Sequence, residues 1–378
     1  MSTPPPLAGG TAGPAALRAL LPTVLDALTE GARARGGPLP AGGPRAVTAR
    51  LHAAIGPVLP TEGTGAEEAL RTVVRTLAEG TADPADPLCT AHLHCPPLAV
   101  AAAADLAATA LNPSLDSWDQ APAASALEAA VTGALAREIY PQPDPGQADP
   151  GQAPRPAALV TTGGTEANQL ALLLAREHHG PVQVVTGTTA HHSVHRAAWL
   201  LGLPDPVTVP APGGVVDTAA LDAALTALRG RPLLVTATAG TTDAGRIDPL
   251  GPIADLCARH GAELHIDAAY GGALLFSPRH RHLLTGLHRA QSVTLDLHKL
   301  GWQPVAAGLL AVPDTARLAP LAHRADYLNA EDDTAAGLPD LLGRSLRTSR
   351  RPDVLKIAVT LRALGRRGLA ELVDHTLD

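Results

Sequence analysis

The chain has 378 residues, 46% of them hydrophobic, and a formal net charge of −7. That length buries a large core, and nothing in the totals suggests disorder. The acidic balance and the lack of a basic run argue against nucleic acid and anionic membrane surfaces as partners.

Residues 1–14 are rich in Pro, Gly and Thr. They lack the basic start and apolar stretch of a signal peptide and are expected to be disordered. ALRALLPTVLDALTEGARAR predicts an amphipathic helix from Ala15 to about Arg35, with an irregularity at Pro22. A Gly/Pro linker (36–45) follows, then helices near 46–55, 65–79, 96–111 and 123–139. The longest apolar run, about 97–111, is broken by Asp105 and is too short to span a bilayer. Cys89, Cys95 and Cys257 show no metal-type spacing, which suits a reduced, cytoplasmic setting. Residues 141–156 carry a tandem DPGQA and read as a polar surface loop. From residue 157 seven β-rich runs alternate with helical stretches: AALVTT, VQVVTG, PVTVP, PLLVTATAG, ELHIDAAYGG, SVTLDLH and AAGLLAVP. The alternation predicts a parallel sheet wrapped by helices, with ligands at the strand C-ends.

Four strand ends carry residue types that chemistry would use. TTGGTEAN (161–168) leads a strand through two glycines into a helix beginning at Thr165. Glycines admit close backbone approach and a helix N-terminus binds anions, so the turn suits a phosphate. An ordinary cap, with Thr165 as cap and Asn168 three residues on, suits it equally. HIDAAYGG (265–272) sets Asp267 at the end of a buried strand. A carboxylate there requires a partner: a protonated ring nitrogen, a metal, an arginine, or the donors of a turn.

SVTLDLH alternates as a strand does and delivers Lys299 at its end. Of the 29 basic residues only Lys299 and Lys356 are lysine, leaving 27 arginines. That bias weakens the reading of Lys299 as an exchangeable surface cation. A lysine whose surroundings depress its pKa can form a Schiff base with an aldehyde. For Lys356, in the helix DVLKIAVTLRALG, the surface reading is the better one. TGTTAHHSVHRAAWLLG (186–202) sets His191, His192 and His195 before or within a helix. Zinc lacks a second ligand cluster of suitable type and spacing, so no metal is expected. An imidazole stacked on a flat cofactor needs only one of the three. A phosphate cradle, an acid for a pyridinium nitrogen, a stacking imidazole and a Schiff-base lysine are together what a pyridoxal phosphate (PLP) site requires.

In order, TTGGTEANQLALLLAR, AHHSVHRAAWLLG, ATAGTTDAGRIDPL, HIDAAYGG and SVTLDLHKLGWQP resemble the group II PLP-dependent amino-acid decarboxylases. The resemblance covers residues 88–378 or thereabouts. HLHCPPLAVA, NPSLDSWDQAPAAS, HRADYLNA and SLRTSRRPDVLKIAVTLRALG are most similar to the branch holding the diaminobutyrate decarboxylases and the lysine decarboxylases of siderophore biosynthesis.

The resemblance implies the PLP-dependent transferase fold type I, an α/β architecture with a mostly parallel seven-stranded sheet flanked by helices. It places a helical segment at 1–87, a large PLP-binding domain at 88–315 and the start of a small domain at 316–378. ELVDHTLD (371–378) resembles the first helix of that small domain, and its remainder is expected to be truncated. By the same resemblance Lys299 is the Schiff-base lysine, Asp267 holds the pyridine nitrogen protonated, and His191 stacks over the ring. Gly164 and Thr165 hold the phosphate, with Asp296 and His298 close by, and Thr242 and Ala269 contact the cofactor. Tyr327 matches a mobile-loop tyrosine that reprotonates the substrate carbon. Arg350 and Arg351 match a pair that opens the small domain, binding a substrate carboxylate or forming a structural ion pair. His94, Cys95, Ser117 and Trp118 match segments lining the substrate entrance, partly from a neighbouring subunit. The implied reaction is decarboxylation of a basic amino acid (2,4-diaminobutyrate, lysine or ornithine) by a cytoplasmic homodimer with a shared active site. The alternatives are an aromatic or glutamate-type decarboxylase, an aminotransferase, and a PLP-binding protein inactive through truncation.

Overall fold

The computed structural model describes residues 5–89, 92–142, 155–323, 325, 328 and 330–378. The chain forms two compact units, residues 1–96 with 109–112, and residues 97–108 with 113–378.

The first unit is built on α1 (Gly13–Arg35), α2 (Gly43–Ile55) and α3 (Ala66–Glu79). Helices α1 and α3 approach closely at Gly31, where a Cβ would stand 2.4 Å from the Arg75 carbonyl oxygen. Arg35 ties the end of α1 across, its Nη1 donating to the carbonyls of Ala78 and Thr81 at 3.1 Å each. The irregularity expected at Pro22 does not occur, and α1 runs through it. Pro22 is exposed, so the carbonyl deprived of its N–H partner faces water.

The second unit holds α4 (Ala99–Leu111), whose final turn counts with the first unit, and α5 (Pro122–Ile139). Then follow β1 (Ala157–Thr161), α6 (Gly164–His179), β2 (Gln183–Gly187), α7 (Ser193–Leu200), β3 (Val207–Val209) and α8 (Thr218–Ala227). After these come β4 (Leu233–Thr238), α9 (Leu250–His260), β5 (Glu263–Ala268), β6 (Ser292–Asp296), β7 (Gly308–Val312), α10 (Glu331–Ala335) and α11 (Val354–Leu377). All seven expected strands form one sheet in the order β1-β7-β6-β5-β4-β2-β3. The pairs from β3 to β6 are parallel, while β7 is antiparallel to both β6 and β1. Helices α5, α8, α9 and α11 cover one face, and α6 and α7 the other.

With both faces covered, alternation along a strand no longer means one wet face. In β5 and β6, Leu264, Ile266, Val293 and Leu295 pack into the main core. The intervening His265, Asp267, Ser292, Thr294 and Asp296 are also buried. Strand pairing sets His265 opposite Ser292 and Asp267 opposite Thr294, so a polar stripe crosses the centre of the sheet.

One smaller expectation changes. Lys356 is not at the surface: it is 1% exposed, with Nζ 3.1 Å from Asp105 Oδ1 and 3.3 Å from Asp353 Oδ1. The apolar side of α11, with Val354, Ile357 and Ala358, turns onto the core and carries Lys356 inward, where two carboxylates satisfy the ammonium. Residues 331–335 form the short α10. The tandem DPGQA lies outside the described residues. Among the described residues no helix is long and apolar enough to cross a membrane.

Candidate active site

Strands β2, β4, β5 and β6 run parallel, and β1, antiparallel to β7 as β6 is, shares their direction. Their C-ends therefore meet along one edge. The loops leaving that edge hold Gly163, His191, Thr242, Ala269 and Lys299.

Asp267 is the penultimate residue of β5 and is 6% exposed. Its Oδ1 accepts the Ala269 N–H at 3.0 Å and its Oδ2 accepts from Asn168 Nδ2 at 2.7 Å. Asn168 lies on the buried side of α6 and bonds in four directions. Its Nδ2 also reaches Ser193 Oγ at 2.9 Å. Its Oδ1 lies 2.8 Å from Thr294 Oγ1 and 3.0 Å from His265 Nε2. These bonds satisfy His265, Asp267 and Thr294 of the polar stripe, whose burial would otherwise cost several kcal/mol at roughly 1–3 per unpaired group. Burial pushes the His265 imidazole down to about 4, so the ring is neutral.

Lys299 follows β6, its Nζ 3.4 Å from Asp296 Oδ2. His298 Nε2 lies at the same distance from that oxygen. Burial raises the Asp296 carboxyl to about 6, against the pull of Lys299 and of the Gly164 N–H. Asp296 Oδ1 is buried with no hydrogen-bond partner. The glycine turn exists because nothing larger fits beside it. A Cβ on Gly164 would stand 3.0 Å from Ala269 Cβ and 3.2 Å from Asp296 Oδ2, and one on Gly163 would stand 3.0 Å from the His298 ring.

His191 ends the loop from β2. Its Nδ1 lies 2.8 Å from Ser193 Oγ and accepts the Ser193 N–H at 3.3 Å. Burial and the adjacent His192 lower its pKa, outweighing the attraction of Asp267. His192 and His195 are exposed.

The remaining expected residues are distributed more widely. Helix α6 starts at Gly164 with Gly163 as its cap, so Thr165 is not the cap but an exposed residue of the first turn. Glu166, in the same turn, reaches back along the chain, its Oε2 accepting the Thr162 N–H at 2.6 Å. Ala269 is buried at the Asp267 turn, whereas Thr242 is exposed on the loop after β4. Arg350 is buried, with Nη1 and Nη2 at 2.5 and 2.9 Å from the carboxylate of Glu128, itself buried. Arg351 bonds Asp105 at 2.6 Å. Ser117 is buried and donates to Asp119 at 2.5 Å, beside the half-buried Trp118. His94 and Cys95 belong to the first unit, where His94 is exposed and Cys95 half-buried. Tyr327 lies outside the described residues.

The sequence marks Asn168 only as part of a cap, and Ser193, His265 and Thr294 not at all. The available signal was an amide at a buried helical position, between Ala167 and the leucines of LALLL, paired with the alternation of SVTLD.

The donor set fits a flat pyridine aldehyde bearing a phosphate. It offers a buried acid for the ring nitrogen, an amine for the aldehyde, and a glycine turn at a helix N-terminus for the phosphate. The family model described as the pyridoxal-dependent decarboxylase conserved domain matches residues 51–378. The chain is 43% identical to an L-2,4-diaminobutyrate decarboxylase of Rhizobium meliloti (strain 1021), over 84% of this chain and 64% of the relative. It is 32% identical to an enzyme of the same name from Acinetobacter baumannii, over 83% of this chain and 66% of the relative. The match thus spans just under two thirds of each relative. Among solved structures, the glutamate decarboxylase domain of diaminobutyrate-pyruvate transaminase and L-2,4-diaminobutyrate decarboxylase from Vibrio parahaemolyticus superposes with a TM-score of 0.81 at 29% identity. That superposition covers 97% of this chain and 76% of the other.

Proposed function

We propose an activity on this premise: the chain belongs to the pyridoxal-dependent decarboxylase family. The activity is removal of the α-carboxyl of a basic amino acid, 2,4-diaminobutyrate first among them, to give CO2 and the amine. The observation that carries it is the pairing of Asp267, buried and held by Asn168, with Lys299 at the end of the adjacent strand. When bound, PLP supplies an aldehyde that joins the substrate amine and a protonated ring that accepts the electron pair left by departing CO2.

The chain's own groups serve that chemistry. With PLP bound, Lys299 Nζ would hold its aldehyde until the substrate amine takes that place. Asp267 keeps a proton on the ring nitrogen. His191 covers the ring. Gly164 and the first turn of α6, with Thr165, receive the phosphate, and Thr242 and Ala269 border the cofactor. Tyr327 delivers a proton to the carbon from which CO2 has left. We assign Arg350 to an ion pair with Glu128 rather than to the substrate, because both of its amino groups are already on that carboxylate. The substrate assignment rests on the two diaminobutyrate relatives. The setting we propose is a cytoplasmic homodimer with a shared site.

Titration with PLP tests the cofactor first. The native protein should gain an absorbance near the visible edge that Lys299→Ala lacks, and an identical spectrum would sink the assignment. Asp267→Asn should lower kcat about 10- to 100-fold, the scale of one hydrogen bond to a charged group. CO2 release from diaminobutyrate, lysine, ornithine, glutamate and an aromatic amino acid should be fastest, by kcat/KM, with diaminobutyrate. A preference for glutamate or an aromatic substrate would overturn the substrate class, and a keto acid product would overturn the reaction.

A further inference from the structure

The bonds around Asn168 can be assigned proton by proton. A backbone N–H always donates, and that of Ser193 points at His191 Nδ1 from 3.3 Å. Nδ1 is therefore an acceptor, and the neutral ring keeps its proton on Nε2. The Ser193 hydroxyl, 2.8 Å from the same nitrogen, must donate to it as well. Its lone pairs are left to accept from Asn168 Nδ2 at 2.9 Å. The other Nδ2 hydrogen goes to Asp267 Oδ2.

On the opposite side Asn168 Oδ1 accepts from Thr294 and from His265 Nε2. The neutral His265 has one proton, which this bond places on Nε2, so its Nδ1 accepts from the Ser292 hydroxyl at 2.8 Å. Turning the amide over would set its oxygen against the Asp267 carboxylate and its hydrogens against His265 Nε2–H. Only one orientation satisfies every partner.

We propose that Asn168 is a positioning residue for two site groups at once: it holds the Asp267 carboxylate directly, and through the Ser193 hydroxyl it keeps His191 in the Nε2–H form. His191 then offers a donor, not a base, on the side away from Ser193. The hydrogen bonds stand by themselves, while their catalytic consequence rests on the proposed PLP chemistry.

The test is 15N NMR of labelled histidine side chains in the full chain, with and without PLP, using His191→Gln to assign the resonance. The native protein should show His191 as one neutral Nε2–H form. Ser193→Ala removes the hydroxyl donor, and Asn168→Asp creates a carboxylate that draws the hydroxyl away from His191. Each should raise the ratio of Nδ1–H to Nε2–H about fivefold or more, the fold-change of one neutral hydrogen bond. Ser193→Thr keeps a hydroxyl and should restore the native form. Asn168→Asp should also lower kcat about tenfold or more while KM stays within about threefold.

A native His191 protonated on Nδ1, or unchanged ratios in both variants, would overturn the proposal. If Asn168→Asp does not fold, the Ser193 pair decides. A native protein that never binds PLP defeats the functional reading but leaves the tautomer measurement to judge the network. A protein that binds PLP and releases CO2 while the ratios stay fixed defeats the network alone.

Discussion

Burial raises the Asp296 carboxyl to about 6, which makes this residue a measurable burden on folding. The folded state then binds its proton more tightly than the unfolded chain, whose Asp titrates near about 3.9. The favourable contribution is complete below that value and is lost as pH rises through 6. Above pH 6 the buried charge costs about 3 kcal/mol by linkage, with the attraction of Lys299 already included. In the protein without added cofactor, Asp296→Asn should therefore gain about 1–3 kcal/mol over native at pH 7.5 and little at pH 4. Urea unfolding at the two pH values measures it, and a pH-independent difference would refute the account. Single residues differ in how far sequence exposed them. Lys299 stood out because an arginine-biased chain had kept a lysine at a strand end. Asn168 did not, because an amide three residues past a threonine reads as part of a cap until the fold turns it inward.

At the scale of elements, β5 and β6 show why alternation was legible and its meaning was not. SVTLD has the period of a strand, but the polar side normally faces water. Here α6 covers that side, and the stripe becomes the floor of the candidate site. The TTGG turn reads equally as a phosphate cradle or a cap, and the structure adds a packing reason for its second glycine: Ala269 and Asp296 crowd Gly164. Gly164→Ala should cost about 1–3 kcal/mol by overpacking, and should weaken PLP binding in a titration that leaves Lys299 intact. Helix α11 has the opposite lesson. DVLKIAVTLRALG holds one of the two carboxylates, Asp353 three residues before the lysine, but an i,i+3 pair is as common on a surface, and the second carboxylate, Asp105, comes from α4. Lys356→Met should cost about 3–5 kcal/mol by leaving those carboxylates short of a cation. Lys356→Arg should cost about 1–3 kcal/mol through volume alone, and denaturant midpoints rank the two.

At the scale of the whole molecule, the strand count and the site edge followed from the β/helix alternation, because parallel strands place all their C-ends together. The strand order did not follow, nor did the antiparallel β7, since periodicity carries no information on which strands become neighbours. The scarcity of lysine has a practical consequence. With Lys356 sealed at 1% exposure, Lys299 is the one accessible side-chain amine, its side chain 24% exposed. Amine-directed reagents, which are harmless surface tags on most proteins, would land here on the candidate catalytic group. An activated ester or amine-coupled surface would inactivate the protein in proportion to the Lys299 modified, and peptide mapping, which separates that label from one on an α-amino terminus, would count its active sites.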